Sequence, residues 1–493
     1  MVVLKTVPEN LLSFEEKELR FTHEGVKVDY LYRKSLRLTR GHKTVYLYDC
    51  SPLYGKGSLE SMAQKYLGEG KQYEGPYKDK KFPNTLSRNE GLEILEYCIH
   101  DAKLTSELAE KWIYTFQSEF GFYPRRYFSA GSIMAEFLER ELREFPTFTI
   151  APYSVQKSAY AAYYGGRFEV FRRGTFRDIH HYDINSAYPD ALSRLPDLGK
   201  GTWVPAESFK SDIGFYKVET DIPASETIGP FMFRLGAKVF SPTGRYVAWV
   251  TGTELLSVPS DWYRILEGWS FTGPREPCEL ARTMKHLYEI RDKKEEPKRS
   301  VYRILINSIY GKTAQVMPKV GRLFSPVVAA YITGACRAKL YQAMQKDPRA
   351  IVACATDAVF SLTPLDLPVG KGLGQWTASE ASRLIFFMNG LYFEDDKVRS
   401  RGFSPKIVLE DGSTAVMTPD SIKVYEKEGR AYFRVTNDKP YSLLEALKSK
   451  KPFGLFSLRE REIDLNADTK RIWDHDLRSL GETAISQPIP LGL

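Results

Sequence analysis

The sequence predicts a mixed α+β protein of two or more domains, and three observations predict it. The chain has 493 residues, too many for one ordinary core. Strand-like stretches that carry an acid recur along it, at Thr44–Asp49, Tyr182–Ile184 and Ile351–Phe360. Helical stretches lie between them, at 89–112 and 279–316.

Composition sets wide bounds. Hydrophobic residues make up 43% of the chain, which is ordinary for a globular protein. A net charge of +8 is compatible with a polyanionic partner without identifying one. The 30 tyrosines are usable for stacking on bases and equally usable as core. Five cysteines, at 50, 98, 278, 336 and 354, show no zinc-ligand or redox spacing, and an odd, scattered set suits a reducing interior. No signal peptide, membrane-spanning apolar run or internal repeat is visible. The expectation is a soluble, intracellular, cytoplasmic protein with no membrane partner.

Taken in order, residues 1–43 read as short strands, with Val26, Val28 and Tyr30 alternating against Lys27, Asp29 and Leu31. Thr44–Asp49 is a strand ending in an acid, and Ser58 is a good N-cap for the helix that follows. Lys, Gly and Pro make 70–86 a loop. A helix from Asn89 to about Trp112 carries Tyr97 and Asp101 one turn apart on one face. Another runs from Ser132 to Phe145, where Pro146 stops it. Strands near 214–222 and 236–250 lie within a Pro- and Gly-punctuated stretch, 195–272. Residues 279–316 read as two antiparallel helices broken at Pro297, and 325–346 as one more helix. Ser486 to Leu493 reads as a loose tail.

Three short segments carry the chemistry. Tyr182-Asp183-Ile184 reads as a strand end with the carboxylate at its tip, and Asn185 and Ser186 suit a tight turn. Pro189 is expected to push Tyr188 out of the helical region. Alone, an Asp before a turn is more often a local cap than a metal ligand. Ile351–Phe360 reads as an apolar strand with Asp357 near its middle, where a carboxylate calls for a partner or a metal. The bland reading puts Asp357 in a β-turn between two short strands. Arg303, Asn307 and Gly311 recur at every fourth position of a helical stretch, with Tyr310 beside Asn307. Such a face can hold a triphosphate, although a solvated amphipathic face is its common meaning.

Together the three segments resemble the polymerase motifs of family B DNA polymerases. Asp183 to Pro189 resembles Asp-x-x-Ser-Leu-Tyr-Pro, with Ala187 in the Leu place. Arg303 to Gly311 resembles Lys-x-x-x-Asn-Ser-x-Tyr-Gly, with Arg303 in the Lys place. Ala355 to Ala358 resembles Asp-Thr-Asp-Ser, with Ala355 for the first Asp and Ala358 for the Ser. Tyr163 to Gly166 is similar to the Tyr-x-Gly-Gly element that joins exonuclease and polymerase parts. The elements stand in the family's order, the likeness covers residues 44–405, and the compact viral, organellar and protein-primed branch is the best match.

The resemblance implies a right-hand polymerase of palm, fingers and thumb, preceded by a partial RNase H-like exonuclease domain. Its expected boundaries are 1–150 exonuclease-like, 151–274 first half of the palm with an insertion, 275–318 fingers, 319–404 second half of the palm, and 405–493 thumb and tail. Asp183 and Asp357, with the backbone carbonyl of Ile184, would hold two Mg²⁺ ions, Mn²⁺ being the alternative. Arg291, Arg303, Asn307, Tyr310, Tyr188, Ser186 and Ala187 would bind the dNTP, with Lys294 and Lys298 as further cations and Tyr188 excluding a 2′-hydroxyl. Tyr163, Gly165, Gly166, Arg167, Gly311, Thr356 and Tyr392 would contact DNA. Basic residues at 172, 173, 448, 450, 451, 459, 461, 470 and 471 are further candidates for backbone contacts. The partners implied are primer–template DNA and dNTPs, with a terminal priming protein or a separate exonuclease subunit as candidates.

Departures from the family pattern stand beside these matches. Gly390-Leu391-Tyr392 falls in register with the family's Lys-x-Tyr and lacks its Lys, while Lys423-Val424-Tyr425 fits the pattern but lies further along. Tyr97 and Asp101 resemble the third exonuclease motif, without the acids of the first two. An inactive exonuclease remnant is expected, with a missing or separately encoded upstream segment as the alternative. Ala355, Arg303 and Gly390 also keep a rival reading open, a catalytically silent scaffold that binds primer–template DNA or a partner.

Overall fold

The computed structural model describes residues 18–31, 35–55, 57–70, 87–143, 150–316, 320–388, 390–401, 405–408, 414–440 and 456–492. The chain divides into two units. One is drawn from Met1–Glu141, Leu287–Ile309 and Asp438–Leu458, the other from Leu142–His286, Tyr310–Asn437 and Arg459–Leu493.

The first unit begins with an antiparallel sheet of four strands in sequence order, β1 (Glu18–His23), β2 (Val26–Leu31), β3 (Ser35–Arg40) and β4 (Lys43–Tyr48). Glu24 and Gly25, with φ of 47° and 75°, form the two-residue link between β1 and β2, as a twisted hairpin requires. Helices α1 (Ser51–Tyr54), α2 (Leu59–Tyr66), α3 (Arg88–Phe120) and α4 (Ala130–Glu141) follow. The expected Ser58 cap is present, its hydroxyl accepting from the Ser61 amide. α3 runs two turns beyond the expected Trp112: a capping box at Ser87 and Glu90 starts it, and Gly121 in the left-handed region ends it. Leu104, Leu108, Trp112 and Phe116 line its buried stripe. α4 ends at Glu141, and Phe145 and Pro146 lie outside the described residues.

The second unit is built on a large antiparallel sheet. The elements run α5 (Tyr153–Ala162), β5 (Phe168–Val170), β6 (Arg172–Ile184), α6 (Ala187–Leu192), β7 (Thr202–Pro205), β8 (Gly214–Thr220), β9 (Phe233–Leu235), β10 (Lys238–Phe240), β11 (Thr243–Gly244), β12 (Val247–Thr251), α7 (Gly252–Leu255) and β13 (Tyr263–Thr272). Then come α8 (Glu279–Asp292), α9 (Lys298–Thr313), α10 (Pro326–Met344), β14 (Ile351–Ala355), β15 (Ala358–Ser361), β16 (Trp376–Met388), β17 (Leu391–Glu394) and β18 (Lys397–Ser400). α8 and α9 are the two helices expected around Pro297 and straddle the division between the units. The sheet order is β18-β17-β16-β6-β15-β14-β5. α10, the helix expected at 325–346, is buried along nearly its whole length and shares a core with Tyr182, Ile184, Val359 and Trp376 of the sheet. A second sheet, β12-β8-β13-β7, occupies the stretch expected to hold an insertion.

The C-terminal part carries β19 (Pro405–Val408), β20 (Thr414–Val416), β21 (Val424–Lys427), β22 (Arg430–Pro440), β23 (Phe456–Asp464), β24 (Ile472–Trp473), β25 (Thr483–Gln487) and β26 (Pro490–Leu491). The expected loose tail is a correction. β25 pairs with β6, placing Ala484 opposite Arg173, and β26 pairs in parallel with β11. The amide of Ser486 donates to the Phe171 carbonyl at 3.0 Å and that of Arg245 to the Leu491 carbonyl at 2.8 Å. Thr483–Gln487 alternates exposed and buried residues, a period-two signal too short to stand out in the sequence.

Candidate active site

Both acids of interest sit where β6 and β15 end side by side. Ala358 pairs with Asp183, and the Ile184 amide donates to the Asp357 carbonyl at 2.9 Å. Asp357 does not lie within a strand. Thr356 and Asp357 form the two-residue link between β14 and β15, with Ala355 paired to Ala358. The bland turn reading is therefore the right one for the backbone. The reason is local: Thr356 takes φ of 63°, which a β-branched residue rarely adopts, and this reverses the chain. The Thr356 amide donates to the Arg167 carbonyl at 2.7 Å, and its own carbonyl accepts from the Cys336 thiol of α10 at 3.4 Å.

The turn after Asp183 is stitched down by Asn185. Its amide group donates to the Gly370 carbonyl at 2.8 Å, its side-chain oxygen accepts from Thr377 at 2.8 Å, and its backbone N–H donates to Gln375. Ser186 follows in the left-handed region, φ 53°, and α6 starts at Ala187. Tyr188 is thus helical, contrary to the expectation drawn from Pro189. Proline sits in the first turn of α6, where its missing N–H has no intrahelical acceptor to lose. The Tyr188 ring packs against that of Tyr310 with centroids 4.4 Å apart, and the Tyr310 hydroxyl meets the Tyr163 hydroxyl at 2.7 Å. Gly166 lies under this cluster: a Cβ there would meet Thr356 Cγ2 at 2.6 Å and Tyr188 Oη at 2.9 Å.

The electrostatics fit a cation. Burial, opposed only by His181, raises the Asp183 pKa above the usual carboxylate value. Burial and then the neighbouring Asp183 push Asp357 up to about 6. A positive charge would relieve both effects, and two carboxylates with a backbone carbonyl are the oxygen donors a hard divalent ion takes. Among the described residues no cluster of three or more acidic, His or Cys side chains is poised to hold a metal, consistent with Ala355 standing where the family pattern has an acid. Burial, followed by Cys336 and Asp357, pushes the Tyr188 hydroxyl well above the ordinary phenol range.

Other expected residues are placed differently. Arg167 is 2% exposed, with both its Nε and Nη2 on Glu169, so its charge is paired in the interior. Arg173 is wholly buried over the Trp473 ring at 3.8 Å, and Arg471 is buried on Glu169. Arg291 is buried, paired with Asp292 at 2.8 Å and stacked on Tyr288. Lys294 and Lys298 both bind Glu119, at 2.7 and 2.6 Å. Arg303, Asn307 and Gly311 remain exposed on one face of α9. Tyr392 packs among Phe360 and Phe386, and burial pushes its hydroxyl up to about 12. Gly390 lies in the link before β17, while Tyr425 donates to Glu462 at 2.8 Å. Tyr97 and Asp101 share α3, Asp29 is paired with Arg37, and Asp49 accepts from the Ser51 amide. Residues 448, 450 and 451 lie outside the described residues.

Among the described residues, one buried support and one half-buried support carried no sequence signal. The Arg337 guanidinium of α10 forms a bidentate pair with Glu254, at 2.7 and 3.0 Å. Its remaining nitrogen donates to the carbonyls of Tyr164 and Gly165, at 2.8 and 3.3 Å, which fixes the Tyr-x-Gly-Gly loop. Lys339 donates to Asp190 at 3.1 Å and to the Gly374 carbonyl, tying α10 to α6. Each partner is far away in sequence, so neither spacing nor motif announces it.

Comparison with known proteins places this arrangement. The family model described as DNA polymerase type B, organellar and viral, matches residues 52–323, more than half of the chain. The chain is 27% identical over 248 residues to a probable DNA polymerase of Ascobolus immersus, covering 47% of this chain but only 20% of that protein. It is 23% identical over 459 residues to the DNA-directed DNA polymerase of Enterobacteria phage PRD1, covering 80% of this chain and 77% of that one. The fold is similar to that of Phi29 DNA polymerase solved with primer-template DNA and incoming nucleotide substrates, with a TM-score of 0.59 at 16% identity, over 88% of this chain and 83% of that one. By its match to that family model the chain belongs to the organellar and viral type B DNA polymerases.

Proposed function

We propose that this chain adds deoxynucleotides to the 3′ end of a primer on a DNA template. One observation carries the reading: Asp183 and Asp357 are brought together by the pairing of β6 with β15, beside a tyrosine held in the first turn of α6. Asp183 and Asp357, with the Ile184 carbonyl, would hold the Mg²⁺ ions. When bound, such ions lower the pKa of the primer hydroxyl and neutralise charge on the triphosphate and the departing pyrophosphate. The chain's own residues do the rest. Arg303 and Asn307 on the exposed face of α9 would bind phosphate, the Arg fork keeping the charge of the family's Lys. Tyr188 would be the wall that meets the sugar, and Gly165 and Gly166 would let a template phosphate come close.

The right-hand division into palm, fingers and thumb, behind an exonuclease-like remnant that does not proofread, goes with this reading. The two-sheet build of residues 151–274 supports assigning them as first palm half plus insertion. A terminal priming protein and a separate exonuclease subunit are the candidate protein partners. Five free cysteines support an intracellular, cytoplasmic setting. The rival is a silent primer–template scaffold, favoured by Ala355. Primer extension with Mg²⁺ and four dNTPs decides between them: template-directed extension supports the polymerase, and tight primer–template binding without extension supports the scaffold.

A further inference from the structure

Behind the Asp357 turn lies a buried chain of charges that the polymerase motifs do not include. Glu169 on β5 is 3% exposed and sits between two guanidiniums. Arg167 holds one of its oxygens at 2.6 Å, and Arg471 from the C-terminal segment holds the other at 2.7 Å. Burial works against the charge on Glu169, but the two arginines outweigh it and hold its pKa below the ordinary value. Arg471 also donates to Ser486 Oγ and to the Thr227 carbonyl, each at 2.6 Å, and lies over the Phe171 ring at 4.7 Å. Ser486 in turn bonds the Phe171 carbonyl between β5 and β6.

This chain of contacts ends at the acid. Arg167, held by Glu169, accepts at its carbonyl the amide of Thr356, the residue in the unfavourable left-handed conformation just before Asp357. β5 pairs directly with β14, setting Glu169 opposite Cys354 and Phe168 opposite Ala355. A left-handed Thr persists only where its surroundings over-determine it. We propose that Arg471 is a positioning residue: through Glu169 and Arg167 it holds the Thr356–Asp357 turn in its reactive conformation, so that the C-terminal segment is part of the catalytic apparatus though it touches no substrate. The kinetic side of this inference rests on the polymerase reading, whereas the structural side does not.

The test uses the full chain with Arg471→Lys, which keeps the charge but not the fork, and Arg471→Ala. Hydrogen–deuterium exchange is followed in the 351–361 peptide, with the 18–48 sheet as control. Exchange in 351–361 should rise by roughly tenfold in Arg471→Lys while the control stays unchanged. In primer extension, kcat should fall by roughly 10- to 100-fold with the KM for dNTP changed less than twofold, and added guanidinium should restore part of the Arg471→Ala rate. A purely structural role would lower Tm and leave exchange in the turn and kcat at assay temperature untouched, which overturns the proposal. Global unfolding of Arg471→Lys, seen by circular dichroism, also overturns it. If the wild type extends no primer, the polymerase reading fails, and the exchange result still decides the positioning role.

Discussion

The amide of Ile184 donates to the carbonyl of Asp357 at 2.9 Å, so one backbone hydrogen bond joins the segments that carry the two acids. The carboxylates converge because two strands end together, not because either sequence is long or distinctive. Strain follows the acids: Thr356 precedes Asp357 and Ser186 follows Asp183 by three residues, and both have positive φ, 63° and 53°.

Removing either charge should end catalysis without unfolding the chain. Asp183→Asn and Asp357→Asn are each expected to cut primer extension by roughly 10²–10³-fold or more while primer–template binding in a gel-shift assay stays within a few-fold of wild type. Extension at the wild-type rate by either variant would refute the metal assignment. Ala355→Asp should be tolerated and change the preference between Mg²⁺ and Mn²⁺, since it adds a third carboxylate at the end of β14.

Tyr188 is backed by Tyr310, itself bonded to Tyr163, so its ring is a stiff wall. Tyr188→Ala should raise ribonucleotide incorporation relative to deoxyribonucleotide by roughly 10- to 100-fold. Single-nucleotide insertion measures this, and an unchanged ratio would assign sugar choice to another side chain.

Glu254 and Arg337 form a buried pair that also fixes the Tyr164–Gly165 backbone. Glu254→Gln leaves the guanidinium without its counter-charge, and the expected loss is about 3–5 kcal/mol of unfolding free energy in urea titration. A change below about 1 kcal/mol would mean that the loop carbonyls alone satisfy Arg337.

Glu119 gives a pH signature. Burial disfavours its charge, but Lys294 and Lys298 outweigh this and hold its pKa below the ordinary value. A depressed carboxylate pKa contributes stability above the unfolded value, about 4.3, and loses it as pH falls through the folded value. Glu119→Gln should therefore lower Tm at pH 7, and the gap from wild type should close as pH drops through 4 toward 3. A gap that is constant with pH would show that shape, not charge, matters at this position.

The chain alone should not trim primers. Asp29 is tied to Arg37, Asp49 accepts from the Ser51 amide, and among the described residues no group of three or more acidic, His or Cys side chains is placed to hold a metal ion. A primer–template with a labelled mismatched 3′ end, incubated with Mg²⁺ and no dNTPs, is expected to stay intact. Progressive loss of the terminal nucleotide, abolished by Asp101→Ala, would reveal a working exonuclease site.

Local physics was legible from the residues alone. The Ser58 cap, the long α3, the break at Pro297, α10 and the strand carrying Asp183 all follow from caps, periodicity and proline, which act over a few neighbours. The polymerase motifs were legible for a related reason, since each is a contiguous stretch with its chemistry in order. What the tertiary structure alone decided lies at long range. Whether Arg167 and Arg471 face DNA or the interior depends on Glu169, and Arg471 lies 302 residues beyond that partner. The C-terminal stretch reads as a loose end, yet β6 pairs with Thr483–Gln487 and β11 with Pro490–Leu491. A side chain's charge and a segment's period are written in the sequence, but which buried acid or sheet edge satisfies them is settled only when the strands have found their register.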